Sequence, residues 1–354
     1  MESLARAEFA PTTTYLNSAS SGLLPARATT ALKEALDTAA RGGDWVDAAF
    51  AAVEECRAAY ARMVDVPARR VAVGGSVAVY VGLIAAALPP GAEVLVADND
   101  FSSLVNPFVT RRDLTVRTVP LERLAEAVRP HTALVAVSAV QSADGRLADL
   151  DAIAAAARAH GARTLVDASQ SAGWLPLRAD AYDYTVAVGF KWLLAPRGGV
   201  AYLTVPEDLG GLHPLFAGWI AGEKPADSCY GPIAELAHSA RRFDESPALL
   251  TYVAAQHSLA LIEKLGPESI GAHDTALADR FRTGLAAQGH TPVPAPGSAI
   301  VAVPGLGHAA ARLAERDVYV SERDGNLRAA FHLYNTAADV DRLLEELAAL
   351  PGSA

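Results

Sequence analysis

Short apolar runs alternate with helical patterns of hydrophobic and polar residues between residues 70 and 203. The apolar runs have the length and composition of buried strands, and the alanine-rich segment 150–160 is typical of the helices between them. Strands that alternate with helices predict a largely parallel sheet with helices on both faces, which is an α/β fold. The seven predicted strands are 70–73, 93–97, 115–119, 133–137, 163–166, 185–188 and 199–203.

The chain on either side of this region divides into further parts. Helical patterns at 28–40 and 48–64 precede it, and a long loop rich in glycine, proline and aromatic residues follows it at 210–231. Beyond a helix at 247–265, the tail repeats helices and strands on a smaller scale, which predicts a second, smaller α/β domain. We therefore expect an N-terminal segment at 1–22, a large domain at 23–245 and a small C-terminal domain at 246–354.

Composition and charge exclude several classes of function. The net charge is −10 and the pI is about 5.4, so neither nucleic acid nor an anionic membrane is an expected partner. The 2 cysteines form no disulfide framework or zinc spacing, and the 9 histidines are scattered, so we expect no metal site. No signal peptide is evident at Met1, and apolar runs such as 77–88 are too short to span a bilayer, so we expect a cytoplasmic protein.

Candidate functional residues follow the predicted strands directly. Ligands of such sheets bind beyond the carboxyl ends of the strands, so Gly75, Phe101, Ser142, Asp167 and Lys191 are expected to meet in one crevice. The lysine lies in an apolar stretch, where loss of hydration lowers the pKa of an amine and makes it a usable nucleophile. The sequence alone also allows a lysine at a strand end with a solvated tip.

Three motifs in this order resemble those of pyridoxal-phosphate (PLP) enzymes of fold type I. They are Val-Asp-Ala-Ser-Gln-Ser-Ala-Gly at 166–173, Gly-Phe-Lys-Trp-Leu-Leu-Ala-Pro-Arg-Gly at 189–198, and Leu-Arg-Ala-Ala-Phe-His-Leu-Tyr-Asn-Thr at 327–336. The closer resemblance, over nearly the whole chain, is to the class V aminotransferase and cysteine-desulfurase-like family. Within it, the lysine motif resembles the ergothioneine C–S lyase and epimerase branches, and the resemblance to the C–S lyase branch is the closer one. The resemblance implies a large domain with a mostly parallel seven-stranded sheet and a smaller C-terminal α/β domain.

The resemblance also implies roles for the residues that would hold and activate the cofactor. Lys191 would bind PLP as a Schiff base and then move the Cα proton of the substrate. Asp167 would pair with the pyridine nitrogen, and Gln170 would hydrogen-bond the phenolic oxygen. The alternatives are that Asp167 caps a helix and that Gln170 is a surface residue.

The phosphate of the cofactor would need backbone N–H donors at the start of a helix. Gly74, Gly75, Ser76 and Val77 lie between a predicted strand and a predicted helix, as such a cradle requires, although any tight turn has glycines. The family usually has a polar residue in place of Val77. Ser246 matches the residue that the neighbouring subunit of a homodimer contributes in this family, and its alternative role is an ordinary helix cap.

Further residues would bind the substrate or cover the cofactor. Arg328 resembles the arginine that holds the α-carboxylate in a bidentate fork, with a surface salt bridge as the alternative. Phe101 stands where a residue stacks on the cofactor ring, although it could equally belong to the core. The segment 1–22 would close over the substrate. The remaining predicted contacts are Asn17, Ser18 and Ser20 to the substrate and Ser142 to the cofactor.

The reaction type is the least constrained part of the prediction. Cysteine desulfurases carry a sulfur-accepting cysteine shortly before the C-terminal arginine, and the interval 318–327 contains none. We therefore expect a C–S lyase that performs β-elimination on a cysteine-derived small amino acid in secondary metabolism. The alternatives are transamination, epimerisation or decarboxylation of a small amino acid, and a non-catalytic protein that binds PLP.

Overall fold

The computed structural model describes residues 1–350, in which helices and strands alternate from the first third of the chain onward. The helices are α1 (Ala26–Ala40), α2 (Val46–Met63), α3 (Val77–Ala87), α4 (Ser102–Thr110), α5 (Leu124–Ala127), α6 (Leu150–His160), α7 (Leu249–Leu265), α8 (Pro267–Ala287), α9 (Ala309–Ala314) and α10 (Ala337–Ala348). The strands are β1 (Thr14–Tyr15), β2 (Val71–Gly74), β3 (Glu93–Ala97), β4 (Thr115–Val119), β5 (Thr132–Ser138), β6 (Arg163–Asp167), β7 (Tyr184–Val188), β8 (Ala201–Thr204), β9 (Ile300–Val303), β10 (Val318–Tyr319), β11 (Ser321–Arg323) and β12 (Asn326–Ala330).

A seven-stranded sheet forms the centre of the molecule, in the order β2-β8-β7-β6-β5-β3-β4. The five strands from β7 to β4 pair in parallel, whereas β8 is antiparallel to both β2 and β7. Because β8 reverses the direction twice, β2 runs parallel to the other five strands. The predicted α/β class and the mostly parallel seven-stranded sheet are confirmed.

Both faces of this sheet are covered, because its strands are apolar at successive positions rather than at alternate ones. Val71 and Val73 pack into one core with α2 and α7, whereas Ala72 between them packs into another with α3. Leu95 of β3 likewise faces away from the α3 side and packs with Ile153 of α6. The carboxyl ends of the parallel strands remain open between the two helical layers.

A smaller antiparallel sheet, in the order β11-β12-β9, follows in the C-terminal part and packs with α8 and α10. The N-terminal chain joins this part, because β1 pairs with β10 and Leu16 exchanges backbone hydrogen bonds with Tyr319 and Ala330. The helix α7 packs against α1 and α2. The boundaries at residues 22 and 245 stay predictions.

Several element bounds differ from the predicted ones. Helix α4 was not predicted, since Pro107 in its interior is typical of a helix end rather than a helix centre. Helix α8 begins at Pro267, directly after the end of α7, because proline fits the first turn of a helix. Within residues 1–350, no helix has the length and apolarity needed to cross a membrane.

A buried ion pair connects α2 to the edge of the large sheet. Arg57 donates to both carboxylate oxygens of Asp244, at 3.1 and 2.7 Å, and to the Val71 carbonyl at 2.8 Å. Asp244, which is fully buried, also accepts from the Val73 N–H at 2.9 Å. The pair therefore fixes the segment that contains Glu245 and Ser246 beside the end of β2.

We expect Arg57→Met to lower the free energy of unfolding by about 3–5 kcal/mol, because it leaves the Asp244 carboxylate buried without a counter-charge. Urea denaturation followed by circular dichroism measures this loss. The control is Arg62→Met on the same helix, where the partner Glu263 is exposed, and we expect it to cost less than about 1 kcal/mol. Equal losses in the two variants would contradict the structural importance of the buried pair.

Candidate active site

A cavity of about 330 Å³ lies at the carboxyl ends of the parallel strands. Phe101, Ser142, Asp167 and Lys191 reach it from the ends of, or the turns after, β3, β5, β6 and β7, as the strand order predicts. Nine of the residues predicted from the sequence line this cavity: Ser20, Gly75, Ser76, Val77, Phe101, Ser142, Asp167, Lys191 and Arg328.

Lys191 lies in a turn after β7 and its side chain is buried. Burial lowers the pKa of its amine to about 8, the negative charge of Asp167 opposes this shift, and the positive charge of Arg328 adds to it. A neutral amine is therefore more accessible near physiological pH than in an ordinary lysine, which is what nucleophilic or basic chemistry requires. The alternative of a solvated lysine tip does not hold.

Asp167 is the buried carboxylate at the end of β6. Burial raises its pKa, while the hydrogen bond from the Ser169 N–H, at 2.8 Å, and the charge of Lys191 act in the opposite direction. A carboxylate that accepts from the N–H two residues later is typical of a helix N-cap, but no regular helix follows Asp167. The carboxylate thus lies at the cavity with a positive partner nearby and little water.

Phe101 lies at the edge of the cavity, with 44% of its surface exposed, so the alternative of a core residue does not hold. The centre of its ring is 5.1 Å from the Lys191 Nζ. The preceding residue, Asp100, fixes this turn by accepting hydrogen bonds from the Phe101 N–H, from both donors of Ser138, and from the Gln141 amide. A flat aromatic face is therefore held above the amine by a carboxylate that the sequence did not single out.

The start of α3 supplies backbone donors to the cavity. Its cap residue Ser76 makes no side-chain hydrogen bond to the first turn, so the N–H groups of that turn have no side-chain partner. The Gly75 N–H donates to the Glu245 carboxylate at 2.8 Å. Gly74 lies behind this turn, where a Cβ would come within 2.6 Å of both the Glu245 Oε2 and the Tyr80 hydroxyl. The glycine is thus required for close packing, and the phosphate cradle at this turn stays a prediction.

Arg328 is almost fully buried at the floor of the cavity, on β12. Its guanidinium donates to the hydroxyls of Ser321, Ser142 and Ser20, at 3.0, 3.1 and 2.8 Å, and to the Ser142 carbonyl. Among residues 1–350 it has no acidic partner within salt-bridge distance, so the alternative of a surface salt bridge does not hold. A buried guanidinium without a counter-charge suits an incoming carboxylate.

Three residues predicted at the site lie away from the cavity. Ser18 is fully buried, and its hydroxyl is 2.5 Å from that of Tyr334. Asn17 forms a strand-like bridge to Ala330, and its side-chain oxygen is buried without a partner. Ser246 is exposed and does not line the cavity. Because residues 18–20 form a turn in which the Ser20 and Ser21 N–H groups donate to the Asn17 carbonyl, their side chains point in different directions, and Ser20 is the one that faces the site.

Gln170 is buried beside the cavity, but its amide group is already used within the protein. Its nitrogen donates to the Ala19 carbonyl at 3.0 Å and to the Ser142 hydroxyl at 2.9 Å, while its oxygen accepts from the Trp192 indole at 2.8 Å. In this arrangement it joins the N-terminal segment to the turn around Lys191. A contact to the cofactor stays a prediction for this residue.

The N-terminal segment lies directly against the lysine turn. The Gly22 N–H donates to the Phe190 carbonyl at 2.9 Å, and a Cβ on Gly22 would come within 2.1 Å of the Lys191 carbonyl oxygen. Only a glycine permits this approach. The segment that contains Ala19 and Ser20 therefore forms a roof over the cavity.

A histidine from the C-terminal part supports the same turn from the other side. The His332 Nε2 donates to the Trp192 carbonyl at 3.0 Å, and its Nδ1 is 2.8 Å from the Asp274 carboxylate. Both side chains are fully buried, and burial raises the pKa of Asp274 to about 6. The sequence contained both residues but gave no reason to connect them, since they are 58 positions apart.

Four polar residues at the cavity were not assigned from the sequence: Ser103, Ser169, Arg197 and Arg323. The first two follow Phe101 and Asp167 at strand ends, so their positions could have been recognised. Arg197 is part of the lysine motif. Arg323 lies on the short strand β11, and no pattern in the sequence distinguishes it from other exposed arginines.

These groups together fit pyridoxal phosphate. The buried amine suits the aldehyde of the cofactor, and the buried carboxylate suits its pyridine nitrogen. The exposed aromatic face suits the flat ring, and the uncapped helix start suits the phosphate. Among residues 1–350, no group of histidine, cysteine and acidic side chains is arranged to hold a metal ion.

The electrostatics of the cavity predict how the Lys191 amine titrates in cofactor-free protein. Its reaction with an acylating reagent should rise with a midpoint near pH 8. Because the Asp167 charge raises the pKa of the amine and the Arg328 charge lowers it, Asp167→Asn should move the midpoint down and Arg328→Gln should move it up. Competitive labelling with peptide mapping measures this and separates Lys191 from Lys33, Lys224 and Lys264. Shifts of the same sign in both variants would contradict this electrostatic account.

Several known proteins are similar to this chain in sequence or in structure. YcbU of Bacillus subtilis (strain 168), an uncharacterized aminotransferase, is 28% identical over 96% of this chain and 94% of its own length. Isopenicillin N epimerase of Streptomyces clavuligerus is 29% identical, with 84% of each protein covered. The structure of the cystine C–S lyase C-DES with its product cysteine persulfide superposes with a TM-score of 0.86 at 25% identity, covering 96% of this chain and 98% of that one.

The family comparison covers most of the chain, including the cavity residues from Ser20 to Lys191. Residues 14–304 match the aminotransferase class-V family. A related C-DES structure, which is 24% identical and superposes with a TM-score of 0.86, holds glycine covalently linked to its PLP cofactor. The chain therefore belongs to the aminotransferase class-V family of PLP-dependent enzymes.

Proposed function

We propose that this PLP-dependent enzyme is a C–S lyase, which eliminates a sulfur-containing group from the Cβ of a cysteine-derived amino acid or its sulfoxide. One observation carries the proposal: the cavity contains a single amine of lowered pKa, Lys191, and no cysteine, histidine or tyrosine among its lining residues within 1–350. One base at Cα is enough for β-elimination, because the leaving group departs from the neighbouring carbon.

The positions of the two cysteines favour release of the sulfur product over its storage on the enzyme. Cys56 is fully buried in α2, bonds to the Tyr252 carbonyl, and has a pKa raised to about 12 by burial. Cys229 is exposed at the end of a short turn outside the cavity. A persulfide relay needs a reactive thiolate that reaches the substrate, so a lyase without one agrees better with this chain.

Each residue of the cavity then has a defined task. When bound, the cofactor supplies an electron sink that makes the α-proton of an attached amino acid acidic. Lys191 accepts that proton, and Arg328 holds the α-carboxylate so that the Cα–H bond points toward the amine. Asp167 supplies a negative charge for the pyridine nitrogen, and the start of α3 holds the phosphate. The roof formed by Ala19 and Ser20 limits the access of water.

The overall reaction balances without an oxidant or a stored sulfur atom. The Cα–H and Cβ–S bonds break, the sulfur leaves with a proton as a thiol, or as a sulfenic acid from a sulfoxide, and water releases the remaining carbon skeleton as pyruvate and ammonia. The structural similarity to a cystine C–S lyase supports this choice.

Aminotransferase activity is the second candidate, because the relative YcbU carries that name. It would use the same proton acceptor but would leave the amino group on the cofactor. Epimerase activity is suggested by the name of another relative. It has less support, because within residues 1–350 the cavity lining offers no second base besides Lys191 and the carboxylate that we assign to the pyridine nitrogen.

Product analysis tests the proposal. Incubation of the yellow holoenzyme with cysteine S-conjugates and their sulfoxides should yield pyruvate and ammonia in equal amounts. Lys191→Ala should lower the rate by about 10²- to 10⁴-fold, since it removes the proton acceptor. Arg69→Gln, at an exposed ion pair with Glu207 away from the cavity, is the control and should keep full activity. Accumulation of pyridoxamine phosphate without ammonia would instead establish an aminotransferase.

We also propose a homodimer in which the chain around Ser246 approaches the partner's cofactor. Ser246 is exposed and directly follows Glu245, which bonds to the cradle. The segment 210–231 presents exposed apolar side chains, including Leu215, Phe216 and Tyr230, which a partner subunit would cover.

Size-exclusion chromatography with light scattering should give twice the mass of one chain. A charge at the apolar surface, as in Phe216→Asp, should shift the protein toward monomers, because a buried charge without a partner is unfavourable. Asp208→Asn, at the start of a nearby short turn, is the control for local disturbance. A fully active monomer would rule out the shared site.

A further inference from the structure

Three arginines meet at a single residue in the roof of the cavity. Ser20 accepts hydrogen bonds through its hydroxyl from Arg328, at 2.8 Å, and from Arg323, at 3.1 Å. Its carbonyl accepts from Arg197 at 2.9 Å. All four residues line the cavity. The guanidinium groups of Arg323 and Arg328 share one hydroxyl oxygen and therefore lie close to each other. The guanidinium of Arg197 bonds to the carbonyl of the same residue.

None of the three has a carboxylate partner. Within residues 1–350, no Asp or Glu side chain lies within salt-bridge distance of Arg197, Arg323 or Arg328. Of the two acids adjacent to Arg323 in sequence, Glu322 accepts from the Gly325 N–H at 2.8 Å instead, and Asp324 is not within salt-bridge distance of any of the three arginines. Most exposed arginines elsewhere in the protein do form ion pairs, as Arg69 does with Glu207. The concentration of unpaired positive charge is therefore a property of this cavity.

The arrangement is costly in the absence of an anion. Like charges in a partly buried site repel each other, and burial, with the charge of Arg323 as a smaller cause, lowers the pKa of Arg328 to about 9. Arg197 is held in place by stacking, since its guanidinium carbon lies 4.8 Å from the centre of the Phe190 ring. Negative charge on a ligand would remove the repulsion, and this favours binding of an anion.

One α-carboxylate does not use all three arginines. A carboxylate takes one guanidinium in bidentate geometry, and Arg328 is the buried one at the floor of the cavity. The cofactor phosphate has its own donors at the start of α3, in the part of the wall formed by Gly75, Ser76 and Val77. Neither the α-carboxylate nor the phosphate therefore needs Arg197 or Arg323, and both of these arginines bond to Ser20 in the roof of the cavity.

We propose that Arg197 and Arg323 form a second anion subsite, and that the substrate is an amino acid whose side chain carries a further carboxylate or another oxyanion. The inference rests on the proposed function for the reaction, and it narrows the substrate class: the group that leaves with the sulfur carries the negative charge. A neutral S-alkyl cysteine would leave both arginines without a partner.

Ligand binding to the holoenzyme tests the subsite without turnover. Calorimetric titration should give about tenfold tighter binding of glutarate than of glutaramate, which differs only by an amide in place of one carboxylate. Arg323→Gln and Arg197→Gln should each reduce this preference, Arg323→Lys should keep most of it, and Arg69→Gln should leave it unchanged. Arg328→Gln should weaken both ligands together.

Turnover of a matched pair of substrates then tests the class. S-(2-carboxyethyl)-cysteine should have a kcat/KM about tenfold above that of S-(2-carbamoylethyl)-cysteine, and Arg323→Gln should remove the difference mainly through KM. If glutarate is preferred but neither compound yields pyruvate, the proposed reaction fails while the subsite stands.

Two results would overturn the subsite itself. The first is equal affinity for glutarate and glutaramate. The second is a loss of PLP affinity in Arg197→Gln and Arg323→Gln while the preference for glutarate persists, which would assign these arginines to the cofactor phosphate. Because Arg197 and Arg323 are both exposed, neither variant removes a buried contact on which folding depends.

Discussion

The removal of the Lys191 amine from water is the constraint on which the rest of the site depends. Burial removes the hydration of an amine and destabilises its charged form more than its neutral form. The neutral form of Lys191 therefore becomes accessible near pH 8. The turn that holds the amine must itself stay dry and fixed. Three separate parts of the chain achieve this: Gly22 bonds to Phe190, Gln170 bonds to Trp192, and His332 bonds to Trp192 from below.

The site thereby joins the two sheets. The large sheet contributes the amine, the carboxylate and the aromatic face at the ends of its parallel strands, as expected for this architecture. The small sheet contributes Arg328 and Arg323, and the N-terminal segment joins both through Ser20. In the proposed reaction, the proton acceptor therefore comes from the large sheet, and the arginines that would hold the substrate come from the small sheet.

The sequence predicted the parts of the site that follow from strand order. Lys191, Asp167 and Phe101 each come directly after an apolar run, and parallel strands place such positions at one edge. It could not separate Ser20 from Ser18, because both lie in one turn, and which hydroxyl faces the cavity depends on the tertiary partners Tyr334 and Arg328. Asp100 was missed for a related reason, since its partners belong to β5 and the turn after it. Asp100 can hold the turn before Phe101 only because β3 and β5 are neighbours in the sheet, which the sequence does not show.

The contact at Gly22 determines how the cavity can change. Because the N-terminal backbone rests directly on the Lys191 carbonyl, the height of the roof is set by main chain against main chain. The Ser20 side chain, which bonds to Arg323 and Arg328, lies apart from this main-chain contact. Substitutions there can alter the charge and polarity that a ligand meets while the depth of the cavity stays constant. Preference among substrates and the space available to them are therefore two independent properties of this enzyme.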